Sequence, residues 1–462
     1  MLESSDPKLE PSIIIGGGIS GLAAAYYLAK RNLPSILIDP GVKLGGVIQT
    51  ARVADCLLEG GPDSFLAAKP EAMALIEELG LGGEVIGSND HQRLTWIVKK
   101  GRMIPLPEGL MMMVPTRIWP TVKSPLLSWG TKLRMGLELL RRPKPGAADR
   151  SVGEFVEDHY GREAVEYLAE PLLSGVYGGD PYKLSIESVL PRFAEMEAKF
   201  GSLTKGTLAG LAEKPKGKGG TLFKTLRGGL GTLVDALELA IAGQCRVVRD
   251  RAMGVSREGD EYVVRLSGET LRSKHVVVAA PAWAAAELLK PLDVQIAELL
   301  GRIGYSSSMT VGVIYDRADV PERFASFGFL VPKTERRHLL ACTFVDQKFD
   351  HRVPENRLLL RCFLGGAGNE AVLGWTDEEL KRAVLSDIEA LLGLKAEPIA
   401  FQASRWPRSM AQYEVGHKKL IVELQNRMQA YPFLFLAGNG YEGIGIPDCI
   451  RSGKLASDGF HF

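Results

Sequence analysis

Ser12-Ile13-Ile14-Ile15-Gly16-Gly17-Gly18-Ile19-Ser20-Gly21-Leu22-Ala23-Ala24-Ala25 decides the fold of this chain. The β-branched run predicts a buried parallel strand, the glycines a tight turn, and the Ala/Leu-rich stretch over 22–30 a helix. A second apolar strand over 35–39 ends on Asp39, which completes one βαβ crossover. Within it, Gly16, Gly17, Gly18, Ile19, Ser20 and Gly21 fit G-x-G-x-x-G. The string means little alone, but here it follows a strand and opens a helix. Gly16 allows the turn, Gly18 lets backbone approach a pyrophosphate, and Gly21 lets helix pack on strand. The helix N-terminus then offers free N–H groups to phosphate. Asp39 suits ribose hydroxyls and disfavours a 2′-phosphate. A dinucleotide site follows.

The rest of the composition narrows the class. With 462 residues, two or three domains are expected. A net charge of +1 carries no nucleic-acid footprint. The five cysteines have no CxxC spacing and the histidines no paired spacing, so neither a disulfide framework nor a metal site is expected. The polar, acidic N-terminus over 1–11 reads as disordered and lacks signal-peptide order. No apolar run reaches the ~18 residues of a membrane span, so a cytoplasmic location is expected. Further along, helices are predicted over 71–79, 151–173, 232–241 and 377–392, and a hairpin over 94–104. Strands are predicted over 246–279 and 305–365. Residues 201–230, rich in Gly and Lys, read as a mobile loop ending in a turn at Gly228-Gly229. Between 105 and 142, Met, Trp and Leu alternate with Arg and Lys, which suits a membrane surface, a tunnel wall or a dimer contact.

Two more glycine-rich segments bear on the cofactor. Gly45-Gly46 and Gly61-Pro62-Asp63-Ser64 follow the ribose acid; an extended FAD needs more backbone donors than NAD, and such glycines suit that need, though Gly45-Gly46 alone reads equally as an ordinary turn. Near the C-terminus, a strand over 433–437 runs into Gly438-Asn439-Gly440-Tyr441-Glu442-Gly443-Ile444-Gly445-Ile446-Pro447-Asp448-Cys449. Proline near the start of a helix makes this a second helix N-terminus, suited to the N1–C2=O edge of a reduced flavin.

On these residues the chain resembles the monoamine-oxidase-type flavoproteins. Gly61-Pro62-Asp63-Ser64-Phe65, Ile104-Pro105-Leu106-Pro107, Pro171-Leu172-Leu173-Ser174-Gly175-Val176-Tyr177-Gly178-Gly179-Asp180 and the turn from Tyr441 to Ile450 resemble the bacterial oxygen-dependent protoporphyrinogen oxidases. The resemblance implies an α/β (α+β) fold with three parts. A Rossmann-type FAD-binding domain would comprise 12–85, 225–300 and 406–462. A mixed-sheet substrate domain would comprise 86–104 and 301–405, and a helical membrane-binding domain 105–200. It also implies a homodimer, peripheral membrane contact on the cytoplasmic face, and no nucleic-acid partner.

By the same resemblance, FAD contacts fall on Gly16 to Gly21, Asp39, Gly45, Gly46, Gly61, Pro62, Asp63, Ser64, Ala252, Ile444, Gly445 and Ile446. Lys43 stands where the family has Arg or Trp. Arg93 matches an arginine that pairs with a substrate propionate, a task suited to a guanidinium fork. Gly175 is the catalytic-site glycine whose carbonyl approaches the macrocycle. Phe327, Leu330 and Phe363 match apolar residues that sandwich it, and no metal is implied. The implied reaction is FAD-dependent oxidation of protoporphyrinogen IX by molecular oxygen, releasing hydrogen peroxide. Coproporphyrinogen III, with four propionates, is the alternative, and Arg93, Lys99, Arg192 and Lys199 are candidate extra cations. A flavin amine oxidase and a non-catalytic flavoprotein remain as rivals. Cys449 follows the turn, which disfavours the amine oxidase's covalent cysteine.

Overall fold

The computed structural model describes residues 10–212, 220–320, 324–335 and 337–460. The disorder expected over 1–11 thus falls largely outside the described residues. The opening βαβ unit forms as expected: strand Ser12–Ile15, helix Ile19–Ala29 and strand Ser35–Ile38. It lies in a five-stranded, all-parallel sheet ordered Cys245–Val248, Ser35–Ile38, Ser12–Ile15, Val276–Val278, Leu434–Leu436. Ile13, Ile14, Val276, Val277 and Val278 are fully buried, because helices cover one face and a three-stranded meander over 254–273 the other.

The second principal sheet has seven strands. Their order is Ala400–Gln412, Gly304–Asp316, Arg357–Gly365, Ala341–Phe344, Gly328–Leu330, Thr95–Lys99, Arg102–Pro105. It is antiparallel except where Gly328–Leu330 runs parallel to Thr95–Lys99. Strand Ala400–Gln412 carries it past residue 405, the expected end of the substrate domain. Its back face packs on helix Asp377–Leu392, whose start is fixed by the Thr376–Glu379 capping box.

Two expectations need correction. The helix expected over 151–173 breaks at Gly161, whose φ of +91° is barred to most residues, and resumes through a π-helical turn Val165–Ala169 into Glu170–Tyr177. The loop expected over 201–230 contains a helix, Leu203–Ala212. Its N-terminus is held from afar: the Glu138 carboxylate accepts from the Ser202 hydroxyl (2.8 Å) and the Leu203 N–H (2.5 Å). Glu138 also pairs with His159, whose other ring nitrogen faces Glu197. The rest of the expected loop lies partly outside the described residues.

Candidate active site

The two glycine-rich turns, some 400 residues apart, meet at a helix crossing. Helix Ile19–Ala29 packs on Ile446–Asp458 so closely that a Cβ on Gly453 would stand 2.1 Å from the Ser20 carbonyl oxygen. The first turn of the one helix therefore packs against the middle of the other. In the first turn, a Cβ on Gly16 would meet the Ala279 carbonyl at 2.5 Å and one on Gly21 the Gly16 carbonyl at 1.9 Å; on Gly18 it would meet nothing within 4 Å. Packing thus demands Gly16 and Gly21, while Gly18 faces open space at an N-terminus that no side chain caps. An FAD pyrophosphate fits there.

Asp39 does more than await a ribose. Its carboxylate accepts from the Gly17 N–H (2.6 Å) and the Gly41 N–H (2.7 Å), so it also shapes the turn. Gly45 donates to the Gly17 carbonyl at 2.8 Å, and Gly46 lies against Gly18. Ala252 lies just past strand Cys245–Val248, where Val248 accepts from the Asp39 N–H at 3.0 Å and Arg249 reaches the Gly41 carbonyl. The residues expected to contact the cofactor thus come together. Lys43 is exposed.

At the last helix, Asp448 accepts from the Gly445 N–H at 3.2 Å and pairs with Lys69 and Arg451. Ile444, Gly445 and Ile446 thus stand at a helix start that packs on the Asp448 carboxylate, where a Cβ on Gly443 would meet the Asp448 carboxyl carbon at 2.4 Å. Tyr413 braces the turn: its hydroxyl accepts from Gly443 N–H (2.7 Å) and donates to the Asn439 carbonyl (2.8 Å). Its ring stacks at 4.0 Å on His417, which bonds the Tyr441 carbonyl. His159 is likewise hydrogen-bonded on both ring nitrogens, to Glu138 and Glu197.

Gly61 to Ser64 are held by residues that sequence reasoning missed. Arg361 donates to the Gly61 carbonyl and, at 3.2 Å, to the Glu59 carbonyl. Trp406 donates at 2.7 Å to the Gly60 carbonyl, which Thr310 also reaches. Asp63 pairs with Lys348 at 2.8 Å and Arg361 at 3.4 Å. Burial alone would raise the Asp63 carboxyl. The Lys348 and Arg361 charges outweigh burial and hold it well below the usual carboxylate range. Beside it, Arg352 pairs with buried Glu59 at 2.8 Å.

Of the residues expected to meet substrate, Leu330 and Phe363 occupy one face of the seven-stranded sheet. Directly opposed residues share a face, and Leu330, Ala341, Phe363, Thr310 and Ser404 form one continuous cross-strand row. Arg361 lies two residues from Phe363 on the same strand, hence on that face, with its guanidinium 4.6 Å from the Phe363 ring centroid. Helix Glu170–Tyr177 lies beyond Leu330: a Cβ on Gly175 would be 4.0 Å from Leu330 Cδ2. Leu330 and Phe363 are half-buried and Gly175 is exposed. This gives an apolar floor, a backbone wall and an approach to the flavin turns. Phe327 is buried just ahead of its strand, its N–H bonded to Leu94 and its carbonyl to Phe344. Arg93 is exposed, two residues before Thr95.

Of the extra cations, Lys99 is committed elsewhere. It pairs with Glu163 at 2.9 Å and donates to the Leu126 carbonyl. Arg192 and Lys199 lie exposed on helix Pro191–Phe200.

Comparison with known proteins follows this geometry. Residues 19–459 match the family described as flavin containing amine oxidoreductase. The chain is 35% identical over 459 residues to coproporphyrinogen III oxidase of Bacillus subtilis (strain 168), covering 96% of each chain. It is 28% identical to protoporphyrinogen oxidase 1, chloroplastic, of Arabidopsis thaliana, covering 95% of this chain and 86% of that one. A crystal structure from Exiguobacterium sp. 255-15, provisionally assigned as a protoporphyrinogen oxidase, superposes with a TM-score of 0.86 at 32% identity, covering 97% of this chain and 98% of the other.

Proposed function

Because this chain belongs to the flavin-containing amine oxidoreductase family, and is an FAD-dependent oxidoreductase, we propose that it oxidises a porphyrinogen to its porphyrin. Coproporphyrinogen III is the favoured substrate, since the more similar of the two curated relatives above is named for it; protoporphyrinogen IX is the alternative. The observation that carries the reading is the apolar row Leu330–Ala341–Phe363 beneath Gly175, which suits a broad, greasy macrocycle.

When bound, FAD supplies the hydride acceptor and passes electrons to oxygen, giving hydrogen peroxide. The protein supplies position. Gly175 offers an unshielded carbonyl to the ring, Leu330 and Phe363 hold its faces, Phe327 backs the wall, and Arg93 grips a propionate. FAD contacts run along Gly16 to Gly21, Asp39, Gly45, Gly46, Gly61 to Ser64, Ala252 and Ile444 to Ile446.

Purified protein assayed in parallel on both porphyrinogens should form porphyrin and peroxide, faster with coproporphyrinogen III. An FAD-loaded protein inert to both would refute the reading. Arg93→Ala should raise KM for the porphyrinogen about tenfold, the scale of one charge-assisted hydrogen bond, with FAD occupancy unchanged. An unchanged KM removes Arg93 from the site.

Peripheral membrane contact, a cytoplasmic location and the homodimer belong to the same proposal. Among the described residues no helix is long and apolar enough to cross a membrane. The basic stretch from 105 to 142 divides in two. Met113, Leu126, Leu127 and Met135 enter the core, whereas Ile118, Trp119, Trp129, Leu133, Leu137 and Leu140 are 55–77% exposed, with Lys132 seated 4.6 Å over the Trp129 ring. Such a patch suits an anionic lipid surface. Co-sedimentation with phosphatidylglycerol vesicles should fall several-fold in Trp129→Gln/Leu133→Gln, and light scattering checks the dimer.

A further inference from the structure

Glu170 is a carboxylate that the proposed chemistry does not use, and it is buried, with 6% of its surface exposed. It opens helix Glu170–Tyr177 directly after the π-helical turn Val165–Ala169, a local irregularity often found at functional sites. Both its oxygens are engaged. Oε1 accepts from the Ser174 hydroxyl at 2.7 Å, and Oε2 accepts from the Lys333 backbone N–H at 3.2 Å. Ser174 immediately precedes Gly175, and Lys333 follows Leu330 by three residues.

These contacts belong to a closed circuit. The Lys333 ammonium donates to the Ala367 carbonyl at 3.0 Å, and the Ala367 N–H donates to the Gly178 carbonyl at 2.7 Å. Gly178 caps the helix that Glu170 begins. The circuit thus runs from Glu170 to Lys333, on to Ala367, to Gly178 and back along the helix. Inside it Gly175 faces Leu330, whose Cδ2 would stand 4.0 Å from a Cβ added at Gly175. Few side chains are costlier to bury than a carboxylate. This one links two segments that no strand pairing joins, and burial pushes its pKa up against the bonds from Ser174 and Lys333.

We propose that Glu170 is a positioning residue that fixes the placement of Gly175 against Leu330, and so the shape of the surface on which the tetrapyrrole rests. The inference rests on the porphyrinogen reading above. It predicts a difference between two replacements. In Glu170→Gln the amide oxygen still accepts from Lys333 N–H and the amide nitrogen donates to the Ser174 hydroxyl, so the bridge survives without charge. In Glu170→Ala it is gone.

The test measures the Kd of the porphyrin product by fluorescence, and KM and kcat for coproporphyrinogen III, on FAD-loaded protein. Glu170→Ala should raise Kd and KM about tenfold, the scale of a lost buried hydrogen bond to a charged group, with kcat and flavin occupancy within about twofold. Glu170→Gln should restore both to within about twofold of wild type. A wild-type Kd in Glu170→Ala overturns the assignment, as does a Glu170→Gln variant as impaired as Glu170→Ala. If Glu170→Ala does not fold, Ser174→Ala cuts one contact and should raise Kd about threefold; an unchanged value is equally decisive against the proposal. Wild-type protein that neither binds porphyrin nor oxidises porphyrinogen brings down the functional reading and this inference together. Wild-type protein that does both, beside an unaltered Glu170→Ala, brings down only the inference.

Discussion

Replacing Arg361 by methionine is expected to cost about 3–5 kcal/mol, the scale of breaking a buried ion pair from one side. The guanidinium serves Asp63, the Gly61 carbonyl and the Glu59 carbonyl together, and methionine, though similar in bulk, donates to none of them. Asp63 would keep Lys348 but lose its second cation. The loss should depend on pH with a definite sign. The folded Asp63 carboxyl titrates below its unfolded value of roughly 3.9, so its contribution is complete above about pH 5 and lost as pH falls through that value towards the folded one. Wild type and Arg361→Met should therefore differ most in chemical denaturation at neutral pH and converge in acid. A stability gap that stayed constant down to acid pH would show that the Asp63 pair is not its source. FAD retention should fall as well, because Arg361 fixes the Gly61 backbone on which the cofactor is expected to lie.

Arg361 also marks where the sequence stops being readable. The turn from Gly16 to Gly21 announces itself locally, since strand, glycines, helix and acid lie within thirty residues and each constrains the backbone. Helix Asp377–Leu392 is equally legible, because Thr376 and Glu379 carry its start. Arg361, by contrast, acts on a carbonyl 300 residues away. Its one local signal is a charge set in the apolar strand Arg357–Gly365, and a charge there must be paired when the strand is buried. That signal tells of a partner without saying which. Helix Leu203–Ala212 fails to read for a related reason. Gly206 and Gly210 lower its propensity, and Glu138, 64 residues back from Ser202, holds its first turn. The proposed substrate wall was legible only through resemblance: Leu330 and Phe363 look like ordinary core residues until the register Leu330–Ala341–Phe363 sets them on one face.

Gly453→Val should have the other large effect, and on the cofactor more than on the fold. The obstruction to a side chain here is the Ser20 carbonyl oxygen at 2.1 Å, with the Ser20 carbonyl carbon at 3.0 Å and Ala23 Cβ at 3.1 Å. Backbone inside the first turn of a helix cannot swing aside as a lysine would, so the two helices must separate by roughly 1 Å to restore van der Waals contact. Overpacking of this kind costs about 1–3 kcal/mol. FAD would feel the displacement twice, because Ser20 lies in the turn proposed to bind its phosphates and Gly453 is on the helix whose start is proposed to meet the flavin. The expected result is a folded protein that loses flavin during gel filtration and regains thermal stability when FAD is added in excess. Gly210→Ala provides the contrast: this exposed position on helix Leu203–Ala212 has nothing within 4 Å of an added Cβ. It should raise stability by about 0.5–1 kcal/mol. If Gly453→Val kept its flavin as firmly as wild type, the close crossing would not be what holds the two turns together, and their alignment would have to come from the sheet beneath them.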